Sequence, residues 1–355
     1  MPFLQMTQSW SAARALPRLI VLLAAVSLSA GCGLFRTKSK IAVPSKLTPL
    51  AVADTRQLLE EINRQAGVQA LNGKVDLTFL DTSFASCGLA DLYREVEGRV
   101  VVQRPGHVYV LVQAPLGIKI AEMSSDGRRF WAAVYQGDER YKRFVTGTNT
   151  AEYERLEANG PSPDCTGDGK RREQAMQRAT VTALSSMRPQ HFTDALLVPP
   201  AEGSGLLYAQ SESFEEEEDT RRGAKKGARV VRGYYVLAEI DPSGDGPGRA
   251  RILRRFWFDR VGQSPRLARV QSYNPRGELI TDVRYGTPQG FGGEGAPRPV
   301  LPSQIELTRP QESYALRITF QDPGSVKVDQ PLPPDAFVLK NSSDLKEVDL
   351  DARKK

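Results

Sequence analysis

Histidine is almost absent from this chain of 355 residues, which contains only His107 and His191. Two histidines exclude a multi-histidine metal site, and His107 is expected in a hairpin turn. The Gly-x-Ser-x-Gly motif of a nucleophile elbow does not occur in the sequence. We therefore expect a protein that is not an enzyme and that uses no metal or other cofactor.

Cysteine is also scarce, with Cys32, Cys87 and Cys165 as the three examples. No Cys-x-x-Cys pair is present, which excludes a thioredoxin-like redox site. A disulfide between Cys87 and Cys165 would close a loop of roughly 80 residues and stabilise the fold by on the order of 4 kcal/mol. Two unpaired thiols are the alternative, because the sequence does not show whether the two backbones lie close enough.

Positive charge is not concentrated in any one part of the chain. The 48 lysines and arginines and the 42 acidic residues give a net charge of +6, and the basic residues are scattered. This pattern does not indicate a nucleic-acid partner. The glycine-rich stretch 244–248 lacks the Lys-Ser/Thr of a phosphate-binding loop and is expected to be a turn.

A transmembrane helix is not indicated by the one apolar run near the N-terminus. The run begins at Leu19, after Arg14 and Arg18, and has about half of the roughly 20 residues that a membrane span needs. Its small residues at the end are typical of a cleavable secretory segment. Its last five residues read Leu28-Ser-Ala-Gly-Cys32.

This ending resembles the lipobox of bacterial lipoproteins, although Ser29 stands where that family usually has an aliphatic residue. The resemblance implies that residues 1–31 are removed and that the sulfur of Cys32 is acylated and anchored in membrane lipid. Gly33, rather than Asp, follows the cysteine, which by the same resemblance favours the cell outer membrane, with the domain in the periplasm. The alternative is an ordinary signal peptide cut near Ala30.

The remainder of the chain is expected to form one domain, residues 48–340, between a lipidated tether (32–47) and a polar tail (341–355). Thr48 and Pro49 have the residue types of a helix N-terminus, and the apolar spacing predicts a helix that ends near Gly67. From Val75 the apolar residues alternate, which predicts a strand. Residues 92–146 then read as a meander of strands separated by Gly and Pro turns.

A second helical stretch follows the loop at 159–170. It is predicted over 171–187, and the apolar face includes Met176, Ala179, Ala183 and Met187. A short helix at 190–197 is expected next. Such a face can cover the sheet as plain core, or it can contact a ligand.

Strands return in the second half of the chain, so the expected fold class is mainly β with a few helices (α+β). The acidic run 215–219 and the basic residues after it are expected to form a solvated loop, with a docking role as the alternative. The strands are predicted at 205–211, 229–240, 251–260, 267–273, 278–285, 303–308 and 313–320.

The order of these elements, with several short motifs, is similar to the outer-membrane lipoprotein-localisation family of the LolA/LolB type. The motifs are Ala114-Pro-Leu-Gly117 with the strand at 118–123, Phe256-Trp-Phe-Asp259, and Leu301-Pro-Ser-Gln-Ile-Glu-Leu-Thr308. The resemblance covers residues 50–339, and this chain has extra loops at 159–170, 213–228 and 286–299. It implies a strongly curved antiparallel sheet that forms an incomplete β-barrel closed by helices.

The resemblance also implies a function. The protein would bind the acyl chains of lipid or lipoprotein cargo in a hydrophobic lumen, as a carrier or acceptor, and a periplasmic carrier protein would be a partner. Met176, Ala179, Ala183 and Met187 would form part of a lid, and Leu116 would meet lipid. The alternatives are an accessory envelope lipoprotein without a cargo and a Leu116 side chain that lies beneath the sheet.

The lipid anchor can be tested directly at Cys32. Several acyl chains on one residue hold a protein stably on a membrane, whereas a protein without them is released. We expect the wild type and a Cys87→Ala control to sediment with membranes through a high-salt wash, and Cys32→Ala to become soluble. Sedimentation of Cys32→Ala with the membranes would show that the anchor lies elsewhere.

Overall fold

The computed structural model of the chain describes residues 43–82, 91–92, 95–136, 139, 142–149, 151, 187–201, 205–221, 223–243, 249–293 and 298–353. Residues 46–355 belong to one compact unit. In these described ranges, no helix has the length and apolar character needed to cross a membrane. The predicted signal peptide, Cys32 and most of the tether lie outside the described residues.

Strands dominate the described part of the chain, as the sequence predicts. Two α-helices are present there, α1 at Thr55–Ala66 and α2 at Pro189–Leu196. The strands are β1 Ser45–Lys46, β2 Ala70–Asp81, β3 Asp91–Leu92, β4 Val96–Gln103, β5 His107–Ala114, β6 Ile118–Asp126, β7 Arg129–Val134, β8 Arg143–Thr148, β9 Leu207–Glu218, β10 Arg229–Asp241, β11 Arg251–Asp259, β12 Arg266–Tyr273, β13 Leu279–Tyr285, β14 Pro288–Gly290, β15 Val300–Pro302, β16 Gln304–Arg309, β17 Tyr314–Phe320, β18 Lys327–Val328 and β19 Glu347–Asp349.

One large sheet contains nearly all of these strands. Its order is β9-β10-β11-β12-β13-β16-β17-β2-β4-β5-β6-β7-β8-β19, antiparallel except for the parallel pair β8–β19. The parallel pair makes the sheet mixed. Among the described strands no pairing joins the two end strands, β9 and β19, so the sheet is not a closed barrel there. The strongly curved, incomplete barrel therefore stays a prediction.

One face of the sheet is apolar without interruption across seven neighbouring strands. One residue from each strand forms this row. Neighbouring members of the row are direct cross-strand partners, and all seven are buried. They are Leu237, Phe256, Val270, Val283, Leu307, Leu316 and Phe79. We call this surface the helix-covered face, because α1 and α2 both pack on it. Burying such a row is the main favourable contribution to folding, since each large apolar side chain contributes roughly 1.5–3 kcal/mol.

Helix α1 begins later than the sequence predicts. Its N-cap is Asp54, whose side chain accepts a hydrogen bond from the Gln57 N–H at 2.9 Å, and the Gln57 side chain accepts from the Asp54 N–H in return. The prediction of a start at Thr48 and Pro49 was wrong. The residues between Pro49 and Asp54 instead form hydrogen bonds with the residues that follow β11. The Ala51 N–H donates to the Arg260 carbonyl at 2.7 Å, and this pairing competes successfully with helix formation.

The acidic run that was predicted to be a loop is part of β9. Strand β10 pairs with β9 along its whole length, from Glu218 to Leu207. Two of the acids are neutralised by arginines of β10, since Glu217 contacts Arg232 at 3.0 Å and Glu216 contacts Arg229 at 2.9 Å. The loop prediction was wrong because a local charge pattern does not reveal ion pairs between neighbouring strands.

The C-terminal segment, expected to be a polar tail, adds a strand to the sheet. Strand β19 runs parallel to β8, and the Phe144 N–H donates to the Lys346 carbonyl at 2.9 Å. Val348 and Leu350 alternate with polar residues and pack on Phe130. Two apolar side chains in a polar stretch are too weak a signal to predict a strand from the sequence. They are enough to hold a strand in place when the edge strand β8 is available for pairing.

Candidate functional site

A cleft of about 240 Å³ opens beside α2 on the helix-covered face of the sheet. We call it the α2 cleft. Helix α2 forms one wall, the β4–β5 turn forms another, and strands β11, β12 and β13 form the floor. Its lining residues are Arg104, Pro105, Thr193, Asp194, Leu197, Pro199, Arg254, Val270, Ser272, Thr281 and Val283.

The position of α2 follows from its sequence. Pro189 occupies the first turn, where a missing N–H costs no hydrogen bond. Phe192, Ala195 and Leu196 face the sheet and are buried in the main core cluster. Asp194 therefore points away from that apolar face and toward the cleft, on a helix that the core holds firmly.

Asp194 is the unusual group of the cleft. Its carboxylate forms no hydrogen bond or ion pair with any described residue. The side chain of Asp194 is exposed to water. The protein around it still raises the pKa of Asp194 to about 6 by partial desolvation, and the charges of Arg309 and Arg254 oppose the increase.

Arg104 lies in the same cleft and carries a charge that no carboxylate neutralises in the described part of the chain. Its Nη2 donates to the Val198 carbonyl at 2.7 Å, and its Nε donates to the Val68 carbonyl at 3.2 Å. Burial lowers the pKa of this guanidinium. Arg254 differs, because Glu239 pairs with it at 2.8 Å.

A buried polar group without a partner lies on β13. The hydroxyl of Tyr285 is buried and finds no hydrogen-bond partner among the described residues. Burial raises the pKa of this hydroxyl, and the negative charge of Asp194 raises it further. Buried polar groups are normally hydrogen-bonded, so this hydroxyl is an exception among the described residues.

The two histidines have structural positions. The Nδ1 atom of His191 lies 2.5 Å from the Tyr314 hydroxyl and 3.2 Å from the Arg188 N–H. Burial lowers the pKa of His191 well below its ordinary value, so the ring is neutral. His107 packs on the ring of Phe337. Within the described ranges, no cluster of His, Cys, Asp or Glu could hold a metal ion.

A larger groove, of about 590 Å³, lies on the opposite face of the sheet, against β9 to β13. Several of its charges pair with one another. Arg232 pairs with Asp259 at 2.8 Å and with Glu217 at 3.0 Å, and Arg269 pairs with Asp282 at 2.5 Å. We assign the candidate site to the smaller α2 cleft, because it adjoins the apolar helix-covered face.

The site residues predicted from the sequence lie apart from the cleft or outside the described residues. Leu116 is 99% exposed at the turn between β5 and β6, so its side chain points outward. Met187 is partly buried against the main core cluster. The remaining predicted site residues, Cys32, Cys87, Cys165, Met176, Ala179 and Ala183, lie outside the described residues, as does the rest of the helix predicted at 171–187.

Asp194, Arg104 and Tyr285 were missed by the sequence analysis. A signal for Asp194 was available, since it is the one acid in the apolar stretch Phe192-Thr-Asp-Ala-Leu-Leu197. A lone acid in such a stretch indicates either exposure or a special environment. Arg104 and Tyr285 gave no such signal, because only the tertiary structure shows which groups surround them.

Several solved structures align with most of this chain at low sequence identity. No family model matches the chain, and no curated protein matches it. A LolA superfamily protein from Nitrosomonas europaea aligns at 14% identity, over 81% of this chain and 99% of its own, with a TM-score of 0.36. An outer membrane lipoprotein-sorting protein domain from Vibrio parahaemolyticus aligns at 12% identity, over 79% and 94%, with a TM-score of 0.34.

A DUF1329 family protein from Desulfovibrio piger aligns at 9% identity, over 81% of this chain and 96% of its own, with a TM-score of 0.36. The first two proteins carry the names of the family that the sequence motifs resemble. At these TM-scores the superpositions are loose, so the function must be argued from the residues of this chain.

The unpaired carboxylate of Asp194 predicts a pH-dependent stability. The pKa of the folded state, about 6, lies above the ordinary value of 3.8, so the folded state binds the proton more tightly. Stability contributed by this group is present at low pH and is lost as the pH rises through 6. Asp194→Asn should therefore raise the free energy of unfolding by about 1 kcal/mol at pH 8, a value reduced because water reaches the carboxyl group.

Urea unfolding at pH 8 and at pH 4 measures this effect. The gain should disappear at pH 4, where the wild-type carboxyl is largely protonated in the folded state. The exposed Asp335 provides the control, since Asp335→Asn should change little at either pH. A loss of stability in Asp194→Asn at pH 8 would mean that the carboxylate has a favourable partner.

Proposed function

We propose that the protein is an outer-membrane-anchored lipoprotein of the periplasm that binds acyl chains of lipid or lipoprotein cargo, as a carrier or acceptor. The observation that carries the proposal is the helix-covered face, a buried apolar row across seven strands that the α2 cleft adjoins. There Val270 and Val283 of the row form the floor, and Leu197 forms a wall.

The energetics favour a partly inserted chain. Each buried methylene contributes roughly 0.8 kcal/mol, so several methylenes outweigh the cost of ordering the chain. The cleft volume of about 240 Å³ lies below the roughly 300–1,000 Å³ of typical ligand pockets. The cleft as it stands therefore accommodates part of an acyl chain, and a longer insertion requires α2 to move.

The turn at Leu116 supports contact with a membrane. Leu116 has a φ of 69°, a left-handed conformation that costs free energy for a leucine and that glycine would adopt more easily. The side chain is almost fully exposed, and Ile118 beside it is half exposed. A strained and exposed leucine is better explained by a use for its apolar side chain than by packing, and insertion into the acyl region of a bilayer is such a use.

A second candidate function is an accessory envelope lipoprotein that carries no cargo. It is favoured by the close packing between the two helices and the sheet. Leu58 and Ile62 of α1 and Phe192 of α2 are almost completely buried against the strands. An interior that its own side chains fill needs no lipid, and the tests below separate the two functions.

Titration with a fluorescent fatty acid tests acyl-chain binding. We expect saturable binding by the wild type and at least about tenfold weaker binding by Ser272→Trp, because the indole would occupy the α2 cleft without removing a core side chain. Ser343 is exposed far from the core, and Ser343→Trp should bind like the wild type. Absence of saturable binding in the wild type would favour the accessory function.

The membrane role of Leu116 is tested by Leu116→Glu. A carboxylate at the tip of the turn should prevent insertion into a bilayer and reduce transfer of lipid cargo to vesicles at least about tenfold. The melting temperature should stay within a few degrees of the wild type, because the side chain has no packing to lose. Val52 is 81% exposed, and Val52→Glu serves as the control. Unchanged transfer by Leu116→Glu would contradict the assignment.

A further inference from the structure

The β9–β10 hairpin extends beyond the neighbouring strand at the end of the sheet where its turn lies. Strand β9 pairs with β10 along its whole length. The other neighbour of β10, strand β11, ends at Asp259, which lies opposite Tyr234. Residues 214–233 therefore continue past the end of β11, and we call them the arm. The turn at its outer end, residues 220–228, is called the tip.

The tip repeats one short motif, since residues 221–228 read Arg-Arg-Gly-Ala-Lys-Lys-Gly-Ala. In each half the N–H of the fourth residue donates to the carbonyl of the first, at 3.0 and 2.9 Å, which closes a turn. The third residue of each turn, Gly223 or Gly227, has a positive φ that glycine adopts without strain. The Asp219 N–H also donates to the Ala228 carbonyl at 2.7 Å, so hydrogen bonds define the shape of the tip.

Positive charge lies in the tip, and negative charge lies further down the arm. The tip contains four basic residues and no acid, an exception to the scatter of basic residues over the chain. Arg221 pairs with Asp219 at 2.7 Å, whereas Lys225 and Lys226 are exposed and form no ion pair with a described residue. Two of the glutamates of β9 are paired with arginines of β10. The outer end of the arm is therefore positive.

The composition of the tip favours an extended negative surface as its partner. The basic residues occur in pairs on two successive turns, and the residues between them are glycine and alanine. The tip has no large apolar side chain to insert into a partner, so its contact would be electrostatic. The anionic headgroups of a phospholipid bilayer form such a surface, and clustered lysines and arginines are attracted to it.

The compact unit begins at Lys46, beside the arm. The Nζ atom of Lys46 lies 4.1 Å from the centre of the Phe214 ring, and the Leu47 N–H donates to the Val231 carbonyl at 2.9 Å. About 14 residues lead from Cys32 to Lys46, and a chain of that length spans at most about 50 Å when fully extended. An acylated Cys32 would therefore keep the arm within reach of the bilayer.

We propose that the tip of the β9–β10 hairpin is a second membrane contact, which binds the anionic phospholipid headgroups of a bilayer. The inference rests on the lipid anchor of the proposed function. The anchor attaches the chain at Cys32, whereas the tip brings a surface of the folded domain onto the bilayer. The Leu116 turn lies at the opposite end of the strands, so the two lipid contacts involve different surfaces of the domain.

Cosedimentation with vesicles tests the tip. The full chain carries Cys32→Ala in every protein, so that no lipid anchor contributes to binding. The vesicles contain phosphatidylcholine alone or phosphatidylcholine mixed with phosphatidylglycerol. We expect binding to the anionic vesicles to be at least about tenfold tighter, and high salt should remove the difference because it screens exposed charges. Equal binding to both kinds of vesicle would overturn the inference.

A charge reversal assigns the preference to the tip. The double variant Lys225→Glu, Lys226→Glu should bind anionic vesicles at least about tenfold more weakly, with an unchanged melting temperature because both side chains are exposed. The double variant Lys340→Glu, Lys346→Glu makes the same change of charge on the C-terminal segment and should bind like its parent. Unchanged binding by the tip variant, or an equal loss in the control, would overturn the inference.

Two further measurements identify the partner and separate this inference from the proposed function. Millimolar inorganic phosphate at constant ionic strength should not compete, and competition would overturn the bilayer as the partner of the tip. The tip variant should bind the fluorescent fatty acid like the wild type, because the tip does not line the α2 cleft. Tip-dependent vesicle binding without any fatty-acid binding would support this inference and overturn the acyl-chain function.

Discussion

The constraint on which the structure depends is the apolar row that crosses seven adjacent strands. A sheet with one continuous apolar face must cover that face, and in this chain α1 and α2 each cover a part of it. The capping box at Asp54 and the proline at the start of α2 place the two helices. The α2 cleft is a consequence, because the two short helices leave a space of about 240 Å³ over β11 to β13.

The two faces of the sheet differ in how their charged side chains are paired. On the face opposite the helix-covered face, Arg232 of β10 and Arg269 of β12 each pair with an acid within ion-pair distance. In the α2 cleft, neither Asp194 nor Arg104 forms an ion pair with a described residue, and Arg104 donates to two backbone carbonyls. Both charges border the apolar floor of the cleft, and an apolar pocket with a few polar groups is typical of a ligand site.

Local patterns were sufficient to predict most strands but not the features set by tertiary contacts. The alternation at 229–240 and 313–320 predicted β10 and β17 almost to the residue, because period-two burial is encoded in each strand. The start of α1, the extension of β9 through its acidic run and the strand β19 were missed, since partners distant in sequence decide them. The outward direction of Leu116 was one of two placements that the turn sequence left open, and Asp194 and Arg104 became a candidate site only when the fold brought them together.

The central claim, that acyl chains occupy the helix-covered face, is tested most directly by photo-crosslinking. A fatty acid with a diazirine at the end of its chain is bound, irradiated and located by peptide mass spectrometry. The account predicts label on the residues that form the floor and wall of the α2 cleft, chiefly Leu197, Val270 and Val283. Label confined to the exposed turn at Leu116, or no specific label, would contradict it.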